Sequence, residues 1–280
     1  IELFAQFNQC PVIAITGSNG KSTVTHLVVD MCKAAGKEVL MGGNVGVPVL
    51  DLLEQSADVI VLELSSFQLE TTFSLMPLVA TVLNITEDHL DRHGDLKTYN
   101  QIKLKVYQYC QFMVFNRDDI LSYPENSKAT MSYGLSESSL GFSWDNANAY
   151  ILLDGKPFLD SKSCLLVGAH NMLNIQAAAA LAKVFGIDDH SIRQGAHIFG
   201  GLPHRCQTLS MFNDVRWIND SKETNVGATL AAINGLVSNI KGKLILIAGG
   251  EGKGANFSVM AECLNQSVSL LITLGKDGDK

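Results

Sequence analysis

The chain has 280 residues, 46% hydrophobic and 18% charged, with a formal net charge of −7; it carries enough apolar residues to bury a core, which excludes a disordered polymer. Lys and Arg form no run or dense patch, which argues against a nucleic-acid partner held through its phosphates. No apolar run approaches the roughly 20 residues of a membrane helix, and the first residues lack a basic-then-apolar secretion signal.

The length suits about two domains. Residues 12–16 form an apolar run that meets a glycine loop, and 22–35 read as a helix with Val24, Leu27, Val28 and Met31 on one face. Further buried strands are expected at 39–41, 59–64, 79–84 and 112–115, an alternation that predicts a mostly parallel sheet covered on both faces. From 130 to 167 the pattern turns to short segments; 132–134 and 150–153, the latter ahead of Asp154-Gly155, read as antiparallel strands and a hairpin. An alanine-rich helix is expected over 172–185, ended by Gly186, and Gly200-Gly201-Leu202-Pro203 reads as the linker. Beyond it a β-α rhythm is expected, with strands at 215–218, 244–248 and 270–274 and helices at 227–236 and 257–264. The fold class is thus α/β, with residues 1–200 a phosphate-loop domain holding a mostly parallel sheet and a small antiparallel sheet, and 201–280 a Rossmann-like α/β domain. The six cysteines show no C-x-x-C pair or metal-finger spacing, so reduced, buried thiols in a cytoplasmic protein are expected. The two ends of the chain read as cuts through a larger protein.

Thr16-Gly17-Ser18-Asn19-Gly20-Lys21-Ser22-Thr23 joins a buried strand to a helix. Such a loop puts backbone amides and the positive helix end onto a phosphate, and the lysine adds a full charge. The spacing is shorter than G-x-x-x-x-G-K-[ST], since Gly17 precedes the Gly20-Lys21 pair by only three positions. ATP is the expected ligand, with Ser22 on Mg²⁺. Glu63 ends an apolar strand, where ligands of parallel sheets collect, and is a candidate metal ligand; a solvated strand-end carboxylate is the plainer reading. Asn84-Ile85-Thr86-Glu87-Asp88-His89-Leu90-Asp91 gathers carboxylates and an imidazole at another strand end. It reads either as a cation site using His89 or as a helix start capped by Asp88 or Thr86.

Together with Glu63-Leu64-Ser65-Ser66-Phe67-Gln68, Gly168-Ala169-His170-Asn171-Met172-Leu173-Asn174 and His204-Arg205, these motifs resemble the Mur ligase family of peptidoglycan synthesis. The shortened phosphate loop is that family's form. Asn219-Asp220-Ser221-Lys222-Glu223-Thr224-Asn225 and Ala248-Gly249-Gly250-Glu251-Gly252-Lys253-Gly254 resemble its D-glutamate-adding branch. Against that branch, Glu223 stands where alanine is common and Asn256 where aspartate is common.

The resemblance implies an ATP-dependent amide ligase that activates the carboxylate of UDP-N-acetylmuramoyl-L-alanine as an acyl phosphate and joins it to D-glutamate. It implies a monomer with no nucleic-acid or membrane partner, lacking here the family's uridine-nucleotide domain and part of its C-terminal domain. Residue by residue, it implies that Gly17, Ser18, Asn19, Gly20, Lys21, Ser22 and Thr23 cradle the phosphates, and that Asn171, Asn174, Arg205 and Asp220 hold the nucleotide. Ser22 and Glu63 would bind one Mg²⁺ and His89 with Lys103 a second, Lys103 as a carbamate; that modification needs a neutral amine, and locally nothing sets Lys103 apart from Lys97 and Lys105. Asn44, Ser65, His89, Lys222, Thr224 and Lys253 are the implied substrate contacts, although Asn44 between glycines also reads as a turn and Asn171 as a helix cap. Two alternatives stay open: a related ligase with another acceptor, as in folylpolyglutamate synthetases, and an MgATP-binding fragment without turnover.

Overall fold

The computed structural model describes residues 1–124, 129–166, 168–222, 224–237, 240, 242–252 and 255–279; Glu223 and Lys253 lie outside them. Through the first half of the chain the elements are α1 (Glu2–Phe7), β1 (Val12–Thr16), α2 (Lys21–Ala34), β2 (Val39–Gly43), β3 (Val59–Glu63), α3 (Ser66–Glu70), β4 (Val79–Val82), α4 (Leu90–His93), α5 (Leu96–Leu104), β5 (Phe112–Asn116) and β6 (Ala129–Tyr133). There follow β7 (Phe142–Asp145), β8 (Tyr150–Leu153), β9 (Lys156–Asp160), α6 (Ala169–Phe185), α7 (Asp189–Ile198), β10 (Gln207–Phe212), β11 (Val215–Asn219), α8 (Val226–Val237), β12 (Ile245–Gly249), α9 (Ala261–Ser267) and β13 (Leu270–Leu274). The chain divides into two compact units, residues 1–85 with 97–200 and residues 86–96 with 201–280. The short segment 86–96, inside the first domain by sequence, belongs to the second unit.

The first unit is built on a nine-stranded sheet in the order β2-β3-β1-β4-β5-β6-β7-β8-β9. Strands β2 to β6 are parallel to their neighbours. β1, β3 and β4 are buried at every position, the pattern of strands covered on both faces. The helices α2, α6 and α7 pack together, and α2 and α6 also pack on the sheet. Small side chains let α6 sit deep: it is buried continuously from Ile175 through Ala182 and ends at Gly186 in the left-handed region (φ 106).

The antiparallel strands β7, β8 and β9 extend this same sheet through one parallel pair, Tyr133 with Phe142. The β8–β9 turn uses Asp154 (φ 50) and Gly155 (φ 73), the two positive dihedrals of a type I′ hairpin. Of residues 132–134, expected to be antiparallel, Ser132 and Tyr133 instead end β6, which runs parallel to β5; a short apolar run carries no sign of its direction.

In the second unit β10 and β11 form an antiparallel pair, and β12 and β13 a parallel pair with α9 between them in the chain. Residues 215–218 are followed by α8, β12, α9 and β13, the expected β-α alternation, but β11 also pairs antiparallel with β10, a strand not expected from the sequence. The two strands close a hairpin whose turn is Asn213 (φ 48) and Asp214 (φ 60), two residue types that tolerate this conformation.

All six cysteines are free, but only Cys32, Cys110 and Cys164 are buried, while Cys10, Cys206 and Cys263 are partly exposed, which corrects the expectation of general burial. Burial pushes the Cys32 thiol up to about 12 and the Cys164 thiol up to about 11, so both are inert at neutral pH. No helix among the described residues is long and apolar enough to cross a membrane.

Candidate nucleotide and metal site

β1 lies between β3 and β4, and its carboxyl end runs through residues 17–20 into the first turn of α2. Gly20 is the N-cap (φ 83), and no side chain caps the helix there. A Cβ on Gly17 would lie 2.9 Å from Leu83 Cβ and 3.2 Å from Leu83 N, so that position requires glycine for space; one on Gly20 would lie 2.4 Å from Asn174 Oδ1, a side-chain end that would have to move, and φ 83 there favours glycine in its own right. The first turn of such a helix supplies amides and a positive dipole end to an anion. Lys21 Nζ donates to Gly17 O and Ser18 O, both at 2.9 Å, which folds the ammonium over the loop. Ser18, Ser22 and Thr23 are buried around it.

Glu63 ends β3 beside this loop: Ile15 of β1 is its register partner on one side and Gly43 of β2 on the other. It is 1% exposed. Its Oε1 accepts from Asn44 Nδ2 at 2.8 Å, and its backbone oxygen accepts from Asn44 N at 2.8 Å. A Cβ on Gly43 would lie 2.2 Å from the backbone oxygen of Glu63, so the glycine lets the Asn44 turn close onto the end of β3. Glu63 Oε2 is buried without a hydrogen-bond partner, and an unpaired carboxylate oxygen at such depth is costly unless something meets it.

Lys103, on α5, is 1% exposed. Its Nζ donates to Gly17 O at 2.9 Å and to Thr16 Oγ1 at 3.5 Å and lies 4.7 Å from the Tyr99 ring centroid. Lys97 is exposed, and Lys105 donates to Glu70 O at 3.1 Å. Burial thus separates three lysines that look alike in sequence, and Lys103 shares its acceptor Gly17 O with Lys21. Asn174 Nδ2 donates to Asn171 Oδ1 at 3.2 Å, a pair on one helix face. The N-cap of α6 is Gly168, so Asn171 is not a cap. Ser65 is one: it forms a capping box with Gln68 at the start of α3, and its hydroxyl is engaged there.

In the second unit His89 is the N-cap of α4, in the left-handed region (φ 53) and without a side-chain cap bond; neither Asp88 nor Thr86 takes that place. Its Nε2 is 3.7 Å from Asp88 Oδ2. Strained dihedrals of this kind persist where the surroundings fix them. Residues 87–90 line a pocket with Thr224, Asn225, Gly252 and Ala255, which brings His89 and Thr224 together. Arg205, Asp220 and Lys222 gather instead at the base of the β10–β11 hairpin. There Asp220 Oδ1 accepts from Cys206 N at 2.8 Å, Lys222 N donates to His204 O at 3.1 Å, and His204 (φ 62) and Cys206 (φ 45) flank Arg205.

Sequence reasoning gave no role to Tyr99 or Asn84. The Tyr99 hydroxyl is 3.2 Å from Ser18 Oγ, and Asn84 bonds the Asn19 backbone. Tyr99 has no periodic or spacing signal, and Asn84, although it heads the Asn84–Asp91 motif, is given no partner by it.

Among the described residues no three His, Cys, Asp or Glu side chains cluster to hold a metal. That is the donor set Mg²⁺ needs least, since it binds through one or two carboxylates with phosphates and water. The buried, unpartnered Glu63 Oε2 and the hydroxyl of Ser22 fit it.

Residues 15–182 match the family described as the Mur ligase middle domain. The chain is 49% identical over 281 residues to UDP-N-acetylmuramoylalanine–D-glutamate ligase of Haemophilus influenzae, covering 99% of this chain and 64% of that protein. It is 48% identical over 280 residues to the ligase of that name from Pasteurella multocida, covering 100% of this chain and 64% of the relative. The chain therefore spans just under two thirds of these relatives. In fold it is similar to MurF of Acinetobacter baumannii, with a TM-score of 0.77 at 19% identity over 98% of this chain and 65% of that one. It is similar too to MurF ligase of Thermotoga maritima in complex with ADP, with a TM-score of 0.76 at 18% identity over 99% and 73%.

Proposed function

Because this chain belongs to the Mur ligase family, we propose that it carries the nucleotide-activating part of an ATP-dependent ligase that joins D-glutamate to UDP-N-acetylmuramoyl-L-alanine. The observation that carries the reading is the glycine loop at the head of α2 with Lys21 folded over it, beside a buried carboxylate oxygen left without a partner at Glu63. The names of relatives near half-identical to this chain supply the donor and the amino acid.

A carboxylate is a poor electrophile. Its attack on the γ-phosphorus of ATP forms an acyl phosphate and releases ADP; the D-glutamate amine then displaces inorganic phosphate and loses a proton. In this scheme the loop amides and Lys21 orient the phosphates and offset their charge, the larger part of phosphoryl-transfer catalysis. Asn171, Asn174, Arg205 and Asp220 would hold the nucleotide. Asn44 fixes Glu63 through one bond to its carboxylate and one to its backbone oxygen and contacts the muramoyl donor, with Ser65. His89, Lys222, Thr224 and Lys253 face the amino acid. Ser22 and Glu63 would hold one Mg²⁺, and His89 with a carbamylated Lys103 a second; bound there, the ions would spread the negative charge moving among the phosphates. The reading takes the enzyme as a cytoplasmic monomer, with Gly200-Gly201 separating its two domains.

Phosphate release with MgATP and UDP-N-acetylmuramoyl-L-alanine tests it, comparing D-glutamate, L-alanine and diaminopimelate as acceptors. D-glutamate alone is expected to raise the rate, and Lys21→Ala to weaken MgATP binding by on the order of a hundredfold through loss of a charge-assisted contact. A rate independent of D-glutamate would overturn the acceptor assignment. MgATP binding without release would favour a binding unit without turnover, a reading the 64% coverage of the relatives keeps in view.

A further inference from the structure

We infer that Asn84 is a positioning residue of the phosphate loop, its carboxamide clamping the backbone of Asn19 through both the N–H and the C=O of that residue so that the loop is shaped before nucleotide arrives. This rests on the reading of residues 17–23 as the ATP site.

Asn84 Oδ1 accepts from Asn19 N at 2.8 Å, and Asn84 Nδ2 donates to Asn19 O at 3.1 Å. The backbone oxygen of Asn84 also accepts from Ser18 N at 2.9 Å. A primary amide carries a donor and an acceptor side by side and so matches the C=O and N–H of a single residue; aspartate accepts but cannot donate. The two Asn19 partners also fix which end of the carboxamide is nitrogen.

The clamp is itself anchored. Just before it, Leu83 O accepts from Asn116 Nδ2 at 3.2 Å and from the Tyr133 hydroxyl at 3.3 Å. Just after it, Ile85 N donates to Asp119 Oδ2 at 2.9 Å. Leu83 N donates to Thr16 O at 2.9 Å, and Leu83 fills the space that a side chain at Gly17 would need. The turn after β4 is thus held by the ends of β5 and β6 and in turn holds the loop after β1. A loop with glycines at both ends has many conformations to lose, and ordering it in advance spares that loss on binding.

The test is hydrogen exchange of the segment 17–23 in the nucleotide-free protein, paired with MgATP affinity. Asn84→Ala is expected to speed exchange at Ser18 and Asn19 by on the order of tenfold and to weaken MgATP by a similar factor, since two hydrogen bonds are lost, with exchange in β3 unchanged. Asn84→Asp keeps the acceptor and loses the donor, so the Asn19 amide stays protected while a carboxylate set against Asn19 O and the incoming phosphates weakens MgATP further than alanine does. Wild-type exchange at 18–19 in Asn84→Ala, or exchange that rises equally in β3, overturns the inference. A loop loosened by Asn84→Ala in a protein whose wild type gains no protection from MgATP keeps the clamp and removes the ATP reading instead.

Discussion

The two units use the same kind of apolar strand in opposite ways. Val-Ile-Ala-Ile in β1 and Val-Ile-Val-Leu in β3 are buried at every position, whereas Ile-Leu-Ile-Ala in β12 and Leu-Leu-Ile-Thr-Leu in β13 leave Ile245, Ile247, Leu270, Leu271, Ile272 and Leu274 exposed. An apolar run specifies a strand, and covering it is a tertiary event. Where the strands are covered, the chemistry is held from beneath: Glu63, Lys103 and Ser22 are buried polar groups with directions fixed by their surroundings. In the second unit Asp220, Asn225 and Asp277 each accept from a backbone amide of a turn or a helix start.

The largest expected effect tests that contrast directly. Ile13 is 0% exposed and Ile272 43%. Ile13→Ala is expected to cost about 2–5 kcal/mol and Ile272→Ala less than about 1 kcal/mol. Denaturant unfolding can follow each unit separately, because Trp144 lies in β7 and Trp217 in β11 and removing either leaves the other to report. Equal costs would dissolve the distinction between covered and uncovered strands.

A smaller effect comes from two glycines in the loops that follow β1 and β12. Gly20 (φ 83) and Gly250 (φ 115) both have dihedrals that L side chains rarely adopt, but a Cβ on Gly250 meets nothing within 4 Å while one on Gly20 meets Asn174 Oδ1. Gly250→Ala is expected to cost about 1–2 kcal/mol from backbone strain alone. Gly20→Ala is expected to cost more, by up to about 2 kcal/mol of overlap, and to weaken MgATP through the displaced Asn174. Parallel unfolding curves checked against nucleotide affinity separate the two terms, and similar behaviour of both variants would mean that Asn174 gives way freely.

How far the sequence can be read follows the same division. The strand, glycine loop and helix at 12–34 are legible because period, glycine and lysine agree, and Asp154-Gly155 announces its hairpin by turn chemistry. Asn213-Asp214 carries a comparable turn signal and the strand after it does lead into α8 and β12, yet its antiparallel pairing with β10 is not legible, because an apolar run does not name its partner. Lys103 cannot be told from Lys97 and Lys105 by any local pattern; only the fold buries it. Asn84 has a role because the turn after β4 lies beside the loop after β1, a contact between residues 65 positions apart. The left-handed His89 and the assignment of 86–96 to the second unit are likewise set by tertiary context.

The smallest expected effect contrasts how each unit fixes an exposed charge. The Glu2 carboxylate accepts from Phe73 N at 2.6 Å, Ser74 N at 3.0 Å and Ser74 Oγ at 2.7 Å. The Phe73 amide is the largest cause of its pKa falling from 4.5 to about 2. Because the folded value is depressed, its contribution to stability is present above 4.5 and lost as pH falls toward 2. In the second unit Lys276 Nζ meets Glu251 Oε1 at 2.6 Å, a bond that raises the lysine above 10.5; its contribution is present below 10.5 and lost as pH rises through the folded value. Two mobile side chains in water are screened by salt, whereas a carboxylate fixed by backbone amides keeps its hydrogen bonds. Titration followed by side-chain NMR is therefore expected to show Lys276 returning toward its ordinary value in about 0.5 M salt, where the Debye length falls to roughly 4 Å, while Glu2 stays low. A Glu2 midpoint that climbs with salt as readily as that of Lys276 relaxes would show that backbone amides give an exposed carboxylate no more definition than a loose ion pair.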